Sequence, residues 1–335
     1  MRYVIYGAGA IGATIGARLH LVEREVTLIA RGAHLERLQA DGLVFREPSG
    51  SRQLSIPTVG SPAEVTWHDD TVVVLAMKSQ DTVAAVAQLA ATAPGNVAVV
   101  CAQNGIANER NVLRCMPVVY GAHVVVSADH LEPGVVARFG VPFVGLVDIG
   151  RFPGGENADD GTGDVVGEGI AGDLTAGGFR SAVDHQIMAA KARKLHYNLG
   201  NAVSALIGPG DVGQTLTGLA REEADAVFAA AGIAMTSPEA DRARREGLTS
   251  APADGVARVG GSTMQSLLRG AGAIETDYLN GEIVVLGRIH GVPTPVNEVL
   301  QRQAAIAAHQ RLQPAAMDPA ELMALVERRR DEVVR

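Results

Sequence analysis

Cysteine is nearly absent. Only Cys101 and Cys115 occur in 335 residues, too few for a disulfide framework and without zinc-site spacing, which fits a reducing cytoplasm. Long apolar runs are also missing: none approaches the ~18 residues of a membrane helix. The N-terminus enters a strand pattern at once, without the charged-then-apolar order of a secretory signal. Nor is there an excess of positive charge. The formal net charge is −8 and the pI about 5.6, which argues against nucleic acid as a partner and requires any anion site to be local. No internal repeat is found, and no His/Cys/Asp grouping has metal-ligand spacing. What remains is an ordinary globular composition, 47% hydrophobic and 20% charged, long enough for about two domains with separate cores.

The chain is organised around Arg2 to Arg31, which reads as strand, phosphate-binding turn, helix, strand. Tyr3-Val4-Ile5-Tyr6 enters Gly7-Ala8-Gly9-Ala10-Ile11-Gly12, a G-x-G-x-x-G turn that opens a helix running to about Leu21. Gly7 permits the tight turn, Gly9 lets backbone approach a pyrophosphate, and Gly12 lets helix and strand pack closely. The helix N-terminus then offers free N–H groups and a positive dipole end to an anion. A second strand, Val26 to Ala30, ends on Arg31 where an NAD site would carry an acid. An arginine there suits the 2′-phosphate of NADP; the alternative is a solvated surface arginine.

After this unit, Thr71 to Ala76 is a continuous apolar run of the kind buried in a parallel sheet, ending at Met77-Lys78-Ser79. A helix from Val83 to Ala91 returns to Val97–Val100, which leads to Gln103-Asn104-Gly105. Strands alternating with helices predict a doubly wound α/β sheet whose ligands lie beyond the carboxyl ends of the strands, where Arg31, Lys78 and Asn104 all sit. From Val118 to Ile149 turn signals suggest an antiparallel extension, and Gly154 to Asp164 reads as a loop or linker. Beyond Val165 nearly everything has helical periodicity, apart from an extended piece near Phe179 to Val183. The expected organisation is therefore a Rossmann-type domain over 1–165 and an all-helical domain over 166–335. Helices are expected at Ile187 to Leu206, Gln214 to Ala231, Ser262 to Arg269, Glu275 to Ile289, Val296 to Leu312 and Pro319 to Val334. In the first of these, Lys194 and Asn198 are four apart and project from one face. Lys191 is the competing nearby lysine.

These stretches together carry a resemblance. Gly7 to Gly12, Ala30-Arg31-Gly32, Lys78, Gln103-Asn104-Gly105, Lys194-Leu195-x-x-Asn198 and Glu275-x-Asp277-Tyr278-x-Asn280-Gly281 resemble the ketopantoate reductase (2-dehydropantoate 2-reductase) family from the first strand to about Leu312. The resemblance implies an N-terminal Rossmann domain, a helical C-terminal domain, an active site in the cleft between them and NADPH as cofactor. It makes Lys194 the proton donor to the keto oxygen and Asn198 a substrate ligand. Glu275 would lie at the nicotinamide ribose close to the lysine, Asn104 would touch cofactor and substrate, and Lys78 would lie along the cofactor. Ser262 is the expected hydroxyl contact, with Thr263 the alternative. The implied activity is NADPH-dependent reduction of 2-dehydropantoate to pantoate, in pantothenate and coenzyme A biosynthesis, without a metal. The partner is a small 2-oxo acid, and the oligomeric state stays open, a homodimer being one option. Ala202 stands where the family usually has a second Asn, and the Ser262 segment lacks the family's acid. These departures leave open another branched 2-oxo acid as substrate, while a non-catalytic NADP-binding regulatory protein is the reading of a different class.

Overall fold

A computed structural model describes residues 1–154, 164–258, 260–268, 270 and 274–334, without the side chains of Ser262 and Val334. Most of the Gly154 to Asp164 loop therefore lies outside the described residues. The chain divides into two compact units, the first formed by Met1–Lys191 with Ser237–Arg258 and the second by Ala192–Thr236 with Val259–Arg335.

The first unit opens with β1 (Arg2–Tyr6), α1 (Ala10–His20), β2 (Glu25–Ile29) and α2 (Gly32–Asp41). A side sheet and the next strands follow as β3 (Leu43–Glu47), β4 (Gly50–Leu54), β5 (Thr58–Val59) and β6 (Thr71–Leu75). Then come α3 (Thr82–Thr92), β7 (Ala98–Cys101), α4 (Asn108–Leu113) and β8 (Val118–Val126). The short β9 (Ala128–Asp129), β10 (Val135–Arg138) and β11 (Gly140–Val141) precede β12 (Gly145–Phe152) and α5 (Val165–Ala176). The main sheet has the order β12-β8-β7-β6-β1-β2-β5. All its pairings are parallel except β12 against β8, where Gly145 faces Val126 and Phe152 faces Val119. This is the Rossmann-type doubly wound sheet with the antiparallel edge that the turn signals predict. Every residue of β6 and β7 is buried, which is why both read as unbroken apolar runs rather than alternating ones.

Two segments beyond residue 165 pack with this unit. Asp173 on α5 accepts a hydrogen bond from the Tyr3 hydroxyl at 2.7 Å and pairs with Arg24 at 2.8 Å. Burial and this carboxylate together push the Tyr3 phenol well above its ordinary pKa. Further along, α6 (Ile187–Asn198), α7 (Gly200–Ile207) and α8 (Asp211–Ala231) lead to α9 (Pro238–Arg245) and β13 (Thr249–Ser250). The last two return to the first unit: Arg244 grips Asp148 of β12 at 2.5 and 2.8 Å, and β13 pairs antiparallel with β11. That return is unsignalled in the sequence pattern, and the compact first unit accordingly takes in more chain than residues 1–165.

The second unit is helical, with α6 from Ala192 onward, α7 and α8 joined by α10 (Ser262–Leu268), α11 (Asn280–His290), α12 (Pro295–His309) and α13 (Pro319–Val334). Leu195, Leu216, Ala224, Val227, Ile283, Leu300 and Val326 are all fully buried there. The helix expected over Ile187 to Leu206 is interrupted at Leu199, although the φ of −59° and ψ of −30° at that residue remain helical. The stretch expected as one helix from Glu275 begins as a 3-10 turn, Glu275–Tyr278, and becomes α-helical only at Asn280.

Candidate active site

The glycine loop joins β1 to α1, and each glycine in it has a separate physical cause. Gly7 takes φ of +103°, and a Cβ there would lie 2.5 Å from the Met77 nitrogen. At Gly12 a Cβ would run into the Gly7 carbonyl oxygen and approach Ala76 Cβ at 2.9 Å. At Gly9 a Cβ would meet nothing within 4 Å, so the absence of a side chain there serves no intramolecular contact and leaves room for something outside the chain. The Gly7 and Ala8 amides donate to Ile29 O at 3.1 and 3.2 Å, fixing the loop to β2. α1 has no side-chain cap and no acid in its first turn, so nothing in its own sequence competes for its N-terminal field. Ala8 O is held by His34 Nε2 at 2.8 Å, while His34 Nδ1 accepts the Gly134 amide at 2.9 Å. Those two contacts require the neutral ring with its proton on Nε2, and burial pushes the His34 pKa down.

Arg31, Lys78 and Asn104 follow β2, β6 and β7, all parallel to β1, so the sheet brings them to the same edge as the glycine loop. The Arg31 side chain is 84% exposed and pairs with Asp81 at 2.8 Å. Such an exposed pair contributes little, so the guanidinium can be surrendered to an incoming anion. Below this edge lies a buried polar network. Gln103 Nε2 donates to Thr82 Oγ1 at 2.8 Å, Thr82 Oγ1 donates to Asn108 Oδ1 at 2.8 Å, and Asn108 Nδ2 donates to Ser79 Oγ at 3.1 Å and to Asn104 O at 2.9 Å. The loops that present Lys78 and Asn104 are thereby tied to each other. Open space at Gly9 and an unopposed helix N-terminus fit the pyrophosphate of a dinucleotide.

In the second unit the expected residues lie on two tied segments. Lys194 is half-buried on α6 and already has a polar or ionic partner. Asn198 closes the same helix one turn later, also half-buried, and its Nδ2 has no hydrogen-bond partner among the described residues. An orphaned buried amide donor costs roughly 1–3 kcal/mol, which makes it a place where a ligand atom is wanted. Glu275 begins the 3-10 turn, is only 5% exposed, and is likewise engaged. Five residues on, Asn280 Nδ2 donates to Leu199 O at 3.3 Å and to Asn297 Oδ1 at 3.0 Å, so the Glu275 segment is anchored to the end of α6. Arg221 takes the last carbonyls of that helix, reaching His196 O and Tyr197 O at 3.3 Å each. Asn201 is half-exposed, Ala202 is buried in the core, and Thr263 is buried. The Ser262 side chain lies outside the described residues.

Lys191, the other lysine of this helix, is differently placed. It belongs to the first unit, where it is 3% exposed and its Nζ lies 2.6 Å from Glu109 Oε1. The network residues Thr82 and Asn108, the Glu109 partner of Lys191 and His34 escape sequence reasoning, because each matters only through a contact with a distant segment. His196 is packed beside Asp225 at 3.2 Å and Cys101 is a fully buried core residue. Among the described residues no His/Cys/Asp/Glu group could hold a metal ion, and no helix is long and apolar enough to cross a membrane.

Comparison with known proteins bears on the family and the fold. The profile of the ketopantoate reductase PanE/ApbA family matches residues 3–154, and that of its C-terminal region matches residues 186–307. The 2-dehydropantoate 2-reductase of Halobacterium salinarum is 29% identical over 311 residues, covering 90% of this chain and 96% of that one. The crystal structure of a PanE/ApbA family ketopantoate reductase from Ralstonia eutropha JMP134 superposes with a TM-score of 0.76 at 27% identity, covering 93% of this chain and 99% of that one. D-mandelate dehydrogenase with NADH and anilino(oxo)acetate superposes with a TM-score of 0.78 over the same shares, but at 22% identity it speaks for the fold alone. With profiles covering both the glycine-loop unit and most of the helical one, the chain belongs to the ketopantoate reductase family of NAD(P)-dependent oxidoreductases.

Proposed function

We propose that the protein reduces 2-dehydropantoate to pantoate with NADPH, a step that supplies pantothenate and so coenzyme A. The observation that carries this reading is the orphaned Asn198 Nδ2 one helical turn from Lys194, a donor and a cation on one helix face in a family whose relatives are named for this reaction. NADPH when bound supplies the hydride. The chain's own groups do the rest. The glycine loop and the N-terminus of α1 hold the pyrophosphate, Arg31 takes the 2′-phosphate, and Lys78 and Asn104 line the cofactor. Asn198 donates a hydrogen bond to the oxo acid, with the Ser262 segment as a second contact. Lys194 stabilises the negative charge that develops on the keto oxygen and then protonates it. Glu275, buried and acidic, is the counter-charge assigned to that ammonium. A second reading keeps every step and changes the acid to another branched 2-oxo acid. The buried Ala202 favours it, since that position offers no polar group to substrate.

The test is oxidation of NADPH with a panel of 2-oxo acids that includes ketopantoate, in the parent and in Lys194→Ala. The parent should prefer ketopantoate. The variant should lose about 10²–10⁴-fold in kcat, the usual contribution of a positioned acid, with NADPH affinity nearly unchanged. Parental turnover in Lys194→Ala at saturating substrate would remove the lysine from the chemistry. A parent that binds NADPH and reduces no 2-oxo acid would favour the regulatory alternative.

A further inference from the structure

Lys191 and Glu109 form an ion pair buried inside the first unit, with side-chain exposures of 2% and 0%. Taking two charges out of water costs several kcal/mol per ion unless other contacts compensate. The compensation here is specific. Besides Glu109, the ammonium meets Gln103 O at 3.0 Å, Cys101 O at 3.2 Å and Ala122 O at 3.4 Å. An ammonium has three N–H groups, and here four oxygens surround it, the Glu109 carboxylate nearest and the three carbonyls beyond it. The Glu109 carboxylate at 2.6 Å supplies the counter-charge, and the carbonyls let the same ammonium clamp the backbone. Two of the clamped carbonyls belong to the end of β7 and the residue preceding Asn104, and the third to β8. Gly121 makes the room: a Cβ there would come within 3.4 Å of both Lys191 Cδ and Glu109 Oε1.

We infer that Lys191 is a positioning residue, whose ammonium, neutralised by Glu109, sets the path of the Gln103-Asn104 loop and so the placement of Asn104. At 3% exposure, with Glu109 and three backbone carbonyls around it, its ammonium is enclosed within the first unit. The consequence for turnover rests on the proposed reductase reading. The positioning itself does not.

The test uses the full chain with Lys191→Met, Lys191→Met/Glu109→Gln, Asn104→Ala and the combined triple variant. Lys191→Met alone strands a buried carboxylate and should melt roughly 10 °C below the parent. The double variant removes both charges with similar volume and should recover most of that loss. In the double variant, amide hydrogen exchange should rise at least tenfold over residues 103–106 while staying parental in the rest of the main sheet. Unchanged exchange in that loop overturns the inference whether or not the protein is a reductase. Where the parent reduces a 2-oxo acid, the double variant should lose about tenfold or more in kcat/KM. Adding Asn104→Ala should then cost little further, because both changes act through one side chain. Independent, multiplying losses would instead mark the pair as mere structure and refute the positioning role.

Discussion

Two glycines three residues apart in the first loop separate fold from function in one experiment. Gly12→Ala places a Cβ against the Gly7 carbonyl oxygen, with Ala76 Cβ at 2.9 Å and Ile5 Cγ2 at 3.0 Å. The obstacles are a backbone atom and two short core side chains, none of which can swing aside. Overpacking of this kind costs about 1–3 kcal/mol, and the backbone contact puts the substitution at the upper end. At about 2–4 °C per kcal/mol for a domain of this size, Tm should fall by roughly 5–10 °C. Gly9→Ala differs in every respect. Its φ of −73° and ψ of −163° suit any residue, and its Cβ would touch nothing within 4 Å. Stability should stay within about 0.5 kcal/mol of the parent, as for most changes that disturb no packing. The added methyl group nevertheless occupies the space through which a pyrophosphate approaches the backbone. If the overpacking cost is transferred to the complex, affinity for the reduced dinucleotide falls about ten- to a hundredfold. Thermal melts and a fluorescence titration of NADPH read the two effects separately. Parental NADPH affinity in Gly9→Ala would refute the assignment of the open space to the cofactor, and a Tm as low as that of Gly12→Ala would refute the packing argument.

Further outcomes follow from the same site. Arg31→Ala should narrow the preference for NADPH over NADH by about one to two decades, a charge-assisted contact of roughly 1.5–3 kcal/mol, at little cost in stability because its pair with Asp81 is exposed; equal parental affinities for the two cofactors would remove the arginine from the 2′-phosphate. Asn198→Ala should raise KM for the oxo acid by more than it changes NADPH affinity, and an unchanged KM in a folded variant would take Asn198 out of the substrate site. Burial lowers the folded pKa of His34 below its ordinary 6.5, so its neutral form contributes stability in full above about pH 6.5, and that contribution is lost as pH falls through the folded value. Tm measured from pH 7.5 to 5 should therefore decline on the acid side, and His34→Gln should flatten the decline; an identical acid limb in the variant would show that burial and the Gly134 amide do not hold the ring neutral.

What could be read from the sequence was whatever depends on near neighbours. The glycine loop declares itself because its three constraints fall within Gly7 to Gly12, and the parallel strands declare themselves because burial on both faces makes runs such as Thr71 to Leu75 apolar throughout. Arg31, Lys78 and Asn104 were legible as strand ends for the same reason. Contacts between distant segments were not. The break at Leu199 has only Gly200 as a local signal; the Leu199 carbonyl is taken by Asn280, far along the chain. The return of α9 to the first unit depends on Arg244 meeting Asp148, a pairing that neither periodicity nor composition specifies. The sharpest case is the choice between two lysines on one helix. Lys191 and Lys194 are three apart, in similar company, and local chemistry treats them alike. What separates them is burial: Lys191 is enclosed by Glu109 and by three carbonyls at and just beyond the end of β7 and on β8, whereas Lys194 is half-buried. A search for a catalytic lysine from sequence must therefore ask which ammonium is enclosed by its own fold, and only the tertiary structure answers that.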